Sequence, residues 1–246
     1  MIKNKRSLEE AKTIFYDKYQ ISFASIGEYQ EKAIHFILKN YFESDSDKME
    51  VKIDGMIADI CNEFGIIEIQ TRNFDRLRKK LDVFLDKYET TIVYPLIKSK
   101  KITWLNSENS ADYNRKSPIH MNVFNVFKEL YKIKTHLIHK NLHFCFVFID
   151  IVEFKNLDGY GNDKKKKASS FNKLPINIDE IINFDSFLDF KNIFDGSEGE
   201  FTSKSLAKMK KIKLKDAQVA LTVLSYLGIV TKIGKDGRSF IYKLQN

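Results

Sequence analysis

Apolar residues recur at helical spacing over residues 7–19, where Leu8, Ala11, Ile14, Phe15 and Tyr19 form one stripe. They do so again over about 25–42, where Ala33, Ile34, Ile37, Leu38 and Tyr41 line up. Both stretches predict amphipathic helices. Glu31 borders the inward face of the second, with Glu28 one turn earlier. After a polar loop, Glu43 to Asp47, the period changes from helical to short apolar runs. Met49 to Asp54, Met56 to Cys61 and Ile66 to Thr71 predict three strands, the second and third joined as a hairpin by Asn62–Gly65. Alternation in the third puts Ile66, Glu68 and Gln70 on one face and Ile67, Ile69 and Thr71 on the other. Phe74, Leu77, Leu81, Phe84, Leu85 and Tyr88 then predict a helix, capped by Asn73 or Thr71.

The pattern continues with strands over Thr91–Pro95 and Lys101–Leu105, a polar loop over 106–117, and a helix starting near Pro118 that carries Val123, Val126, Phe127 and Leu130. Leu142 to Ile151 is apolar enough for a buried strand. Asp158 to Asp163 and the run Lys164–Lys167 break the pattern, which places a linker or insertion at about 156–175, and short helical fragments follow over 176–196. Beyond Gly199 come a helix capped by Thr202 or Ser203, a second helix over about Lys215–Leu227 ended by Gly228, and two strands flanking Gly234–Arg238. The expected architecture is α/β (α+β): a mixed central sheet flanked by helices over 1–155, a connecting segment over 156–198, and a small unit of two helices and a hairpin over 199–246.

Composition narrows the class. Hydrophobic residues make up 43% and charged residues 30% of the 246, the profile of a soluble globular protein. No apolar run approaches the roughly 20 residues of a membrane span. The charged N-terminus, without an apolar core, is not the pattern of a signal peptide. Cys61 and Cys145 both lie in apolar runs, which fits reduced, buried thiols in a cytoplasmic protein. The net charge of +8 is unevenly spread: residues 199–246 hold ten Lys/Arg against three Asp/Glu, and the rest is nearly balanced. A polyanion, most often nucleic acid, is the partner such a unit implies.

The candidate chemistry lies in the hairpin. A carboxylate inside an apolar, strand-forming run is costly to bury alone and tends to mark a site. Asp59 and Glu68 interrupt adjacent strands, so the hairpin can bring two carboxylates within a few ångströms of each other. Such a pair, completed by the carbonyl of Ile69, is a set of hard oxygen donors suited to Mg²⁺ or Mn²⁺ and hence to phosphodiester hydrolysis. Gln70 shares the Glu68 face. Asp54 competes with Asp59 for the role, although its place beside Gly55 is that of a turn acid.

The order of a helix with Glu31, a strand with Asp59, a strand with Glu68-Ile69-Gln70, then a helix and a strand resembles the PD-(D/E)xK nuclease superfamily over about residues 25–105. The resemblance implies a restriction-endonuclease-like fold and makes Asp59, Glu68, Gln70 and Glu31 the catalytic set. Asp59, Glu68 and the Ile69 carbonyl would be the metal ligands. Gln70 stands where the family usually has lysine, and Arg78, Lys79 or Lys80 of the next helix is available in its place. Residues 199–246 resemble winged-helix domains. That likeness puts Lys215 and Gln218 on the exposed start of a recognition helix, and Lys235 and Arg238 at the wing tip. With Arg72, Arg78 and Lys80, these are the expected nucleic-acid contacts. The expected function is a Mg²⁺-dependent DNA endonuclease-like protein; the alternative is a non-catalytic DNA-binding regulator on the same fold. A homodimer is compatible with either.

Overall fold

A computed structural model describes residues 2–19, 32–105, 111–156, 169–194 and 199–245. The chain begins with helices α1 (Leu8–Tyr19) and α2 (Lys32–Phe42). Three short strands follow, β1 (Met49–Ile53), β2 (Met56–Asn62) and β3 (Gly65–Ile69). A 3₁₀ turn (Phe74–Leu77) leads into α3 (Arg78–Phe84). Strands β4 (Thr90–Leu105) and β5 (Ala111–Lys116), the short helix α4 (Phe127–Leu130) between 3₁₀ segments, and strands β6 (Leu142–Asn156) and β7 (Ser169–Phe184) complete the larger part. The C-terminal part is β8 (Glu200–Thr202), α5 (Ser203–Met209), α6 (Leu214–Tyr226), β9 (Val230–Asp236) and β10 (Ser239–Leu244).

Seven strands form one mixed sheet in the order β1-β2-β3-β4-β6-β7, with β5 paired to β4. The β3–β4 and β4–β6 pairs are parallel and the other pairs antiparallel. Parallel neighbours need crossovers, and both carry their helical segments onto the same face. That face packs Leu77, Leu81, Phe127 and Leu130 against Ile92, Phe144 and Phe146. Helices α1 and α2 cover the other face, with Phe15, Ile37 and Phe42 against Ile67, Ile69, Val93 and Val147. The fold is therefore the expected α+β arrangement, a large mixed sheet flanked by helices.

Several elements differ from the sequence reading. The stretch 91–105 is one continuous strand, not two. Its register slips between Ile97 and Ser99, so Lys98 is an extra residue. The polar run that hides the continuity is satisfied within the sheet, where Ser99 Oγ donates to Asp150 Oδ1 at 2.6 Å and Lys100 pairs with Glu153. Residues 111–116, expected in a loop, form β5. Residues 169–184, expected in a linker with helical fragments, form β7, whose three register shifts against β6 blur its alternation. Pro175 is tolerated there because β7 is an edge strand. Pro118 starts no helix; the helical segment begins at Val123 with Asn122 as its cap. The run Lys164–Lys167 lies outside the described residues.

The C-terminal part has the predicted helix order and hairpin, with β8, β10 and β9 forming a three-stranded sheet. Thr202 caps α5, and Gly228 takes a positive φ of 71° just past α6. The sequence reading sets a boundary at 199, but the hydrophobic core runs across it. Leu206, Ala217, Leu221 and Leu224 share one cluster with Phe124, Phe127, Phe190 and Phe194.

Candidate functional site: two carboxylates and a lysine at the end of β3

β3 stops after five residues while its neighbour β4 runs for sixteen. The sequence explains the stop. The β3–β4 pairing reaches Ile69↔Val93, and the Gln70 amide still donates to the Val93 carbonyl at 2.9 Å. The next donor on that edge of β4 would belong to Pro95, which has none. The ladder ends there and leaves a step in the sheet, at the carboxyl end of a parallel strand, where α/β sheets commonly place their sites.

On the other side of β3 the hairpin opens. The β2–β3 ladder runs only as far as Ile60↔Ile67. Beyond it the side chains replace the main-chain bonds. The Ile69 N–H donates to Asp59 Oδ2 at 2.8 Å, and the Asp59 N–H reaches Glu68 Oε1 at 3.3 Å. A strand residue points its N–H and C=O to the same side, so the Ile69 carbonyl also faces Asp59. Asp54, the competing aspartate, sits in the β1–β2 turn with φ 48° and pairs with Lys87.

Glu68 is only 2% exposed, which excludes a solvated strand face. Lys80, on α3, turns inward and donates to both of its oxygens, at 2.7 Å and 3.0 Å. Burial, and then the negative charge of Asp59, nevertheless push the Glu68 carboxyl up to about 7, because Lys80 offsets them only in part. Asp59 moves the other way. Burial alone would raise it, but the His35 hydrogen bond and the Ile69 amide hold it below the ordinary aspartate range. His35 Nε2, on α2, lies 3.1 Å from Asp59 Oδ2.

A second pair borders the site. The buried Lys39 donates to Glu50 Oε1 at 2.6 Å, holding the Glu50 carboxyl below its usual range. Glu50 falls between the pairs Met49↔Ile60 and Val51↔Ala58, and so lies across from Asp59. Its φ of 55° is a left-handed conformation that a non-glycine residue in a strand adopts at a cost of order 1–3 kcal/mol.

The structure thus brings Asp59, Glu68, the Ile69 main chain and Lys80 together. Gln70 follows at the strand end, its main chain held by β4. Glu31 and Glu28 lie outside the described residues. Arg72 is exposed at the loop entering the helical segment. Arg78 is held by the Lys132 carbonyl at 2.7 Å and by Asp75. Lys215, Gln218, Lys235 and Arg238 are exposed on the C-terminal part, away from this cluster in sequence. His35, Lys39 and Glu50 were not legible as site residues, since contacts between α2 and the hairpin depend on how the helix docks.

The oxygen donors of Asp59, Glu68 and Ile69 are of the kind Mg²⁺ takes, and a divalent cation would relieve the repulsion that lifts Glu68. Among the described residues no three His, Cys, Asp or Glu side chains converge as a complete ligand set. Asp59, Glu68 and the Ile69 carbonyl would supply only part of a cation's shell, and the described side chains do not complete it. None of the described helices is long and apolar enough to cross a membrane.

A step at the end of a parallel strand, holding two carboxylates and a lysine, defines an α+β protein with a polar site at the carboxyl end of an interior strand. The chain belongs to the family described as Domain of unknown function (DUF8091), whose model matches residues 32–185 and so spans the whole site. It is also similar to a protein of Treponema pallidum (strain Nichols) described as "Uncharacterized protein", 27% identical over 225 residues that cover 87% of this chain and 85% of the relative. No solved structure matches.

Proposed function

We propose that the protein is a metal-dependent nuclease of the PD-(D/E)xK kind, acting on DNA in the cytoplasm, with Lys80 standing in for the lysine that the motif lacks at Gln70. The observation that carries the reading is the convergence of Asp59, Glu68 and Lys80 at the end of β3. Mg²⁺ or Mn²⁺, held by Asp59, Glu68 and the Ile69 carbonyl, would supply charge neutralisation at phosphorus and a water of lowered pKa. The chain's own groups orient that set. His35 and the Ile69 amide fix Asp59. Lys80 holds both oxygens of Glu68 and keeps a third ammonium proton for a water or a phosphate oxygen. Lys215 and Gln218 on α6, with Lys235 and Arg238 on the hairpin, supply phosphate contacts that position the strand.

Asp59→Ala, Glu68→Ala and Lys80→Ala should each lower Mg²⁺-dependent cleavage of DNA by about 100-fold or more, the usual scale for a preorganised charge, and the first two should leave duplex binding unchanged. A second reading, a non-catalytic DNA-binding regulator, is favoured by one detail: Asp59 Oδ2 already accepts two hydrogen bonds. Binding without cleavage in the unsubstituted protein would select it.

A further inference from the structure

The hairpin of β9 and β10 stands clear of the core, and every residue of β9 after Val230 is exposed. A row of rings runs outward onto it. Phe194 and Phe201 are 5.5 Å apart, Phe201 and Tyr242 lie nearly parallel at 6.5 Å, and Tyr242 and Phe240 are 6.5 Å apart. The first three rings are buried, and Phe240, the last, is 42% exposed. Two ammonium groups lie over this ring, Lys232 at 4.3 Å and Lys235 at 5.1 Å from its centroid, both on exposed side chains. Over residues 230–244 the hairpin holds four basic residues and one acidic residue.

An exposed ring that holds two solvent-facing cations matches the two halves of a nucleotide: a base stacks on the ring as a lysine swings aside, and the ammonium groups neutralise its phosphates. An apolar protein partner would cover the ring but leave both lysines unpaired. A fully paired duplex keeps its base faces buried in its own stack and has none to offer. We propose that Phe240 is a stacking platform for an unpaired base, with Lys232 and Lys235 on the flanking phosphates, so that the preferred nucleic acid carries a single-stranded stretch or end. The inference rests on the nucleic-acid-binding half of the proposed function and does not depend on cleavage.

Fluorescence anisotropy of the full chain, with labelled oligothymidylate and a blunt duplex of equal length, tests it. Phe240→Ala should weaken single-strand binding about tenfold or more and leave duplex binding unchanged. Phe240→Trp should keep single-strand affinity, with its added indole fluorescence quenched on binding. Lys232→Ala with Lys235→Ala should flatten the salt dependence. Equal single-strand affinity for the unsubstituted and Phe240→Ala proteins, with duplex binding intact, overturns the platform alone. Failure to bind either nucleic acid overturns the nucleic-acid reading together with it.

Discussion

Glu68 is held between two opposing neighbours. Burial and Asp59 disfavour its charged form, Lys80 favours it, and the balance leaves the carboxyl at about 7. The folded chain therefore keeps a proton that the unfolded chain, titrating near 4.5, has already released. The sign follows: without metal, stability should fall as pH rises from about 4.5 through about 7, by about 3 kcal/mol in all. Thermal denaturation in chelator over that range should show this limb, and Glu68→Gln should flatten it. Asp59 contributes in the opposite sense, because its depressed pKa gives stability that is lost only in acid. Mg²⁺ should raise the melting temperature of the unsubstituted protein and not that of Asp59→Ala. Asp59 and Glu68 could be read from sequence because a tight hairpin fixes its own neighbours. Lys80 was one of three basic candidates until the docking of α3 chose among them. His35 is 24 residues from Asp59, and nothing local signals their contact.

Among the elements, the segment that carries Lys80 is anchored from a distance. Asn73, one of the two expected caps with Thr71, adopts a left-handed φ of 57° and makes no cap bond. The Phe74 N–H donates instead to Glu129 Oε2 at 3.0 Å, and Lys132 pairs with the same carboxyl. Glu129→Ala should cost about 2 kcal/mol, the scale of a lost buried hydrogen bond to a charged group. Chemical denaturation measures that loss, and cleavage should fall with it if the anchor also holds Lys80 in place. A cap supplied from 55 residues away has no sequence signature. The same holds for the long strands. Hydrophobic alternation marks the apolar parts of β4 and β6, while the register shifts at Lys98 and along β7 put polar residues out of phase, so β4 reads as two strands and β7 as the end of a linker followed by helical fragments.

For the molecule as a whole, the C-terminal helices share their core with the large sheet. The Asn122 side chain donates to the Lys210 carbonyl at 2.9 Å, and Lys210 Nζ to that of Ile193 at 2.8 Å, tying the parts further. Calorimetry should therefore show one cooperative transition, and Leu221→Ala should lower the stability of the whole chain by about 2–5 kcal/mol. Two separate transitions, with only one moved by that substitution, would contradict the shared core. Such coupling keeps the basic hairpin in a fixed relation to the step at β3, which the proposed function requires. Mg²⁺-dependent cleavage of duplex, branched and single-stranded DNA by the unsubstituted protein and Asp59→Ala, assayed side by side, tests that account most directly. Cleavage by the first, at least about 100-fold slower cleavage by the second, and equal binding by both are expected. No cleavage by either, with Mg²⁺ or Mn²⁺, or equal cleavage by both, would contradict it.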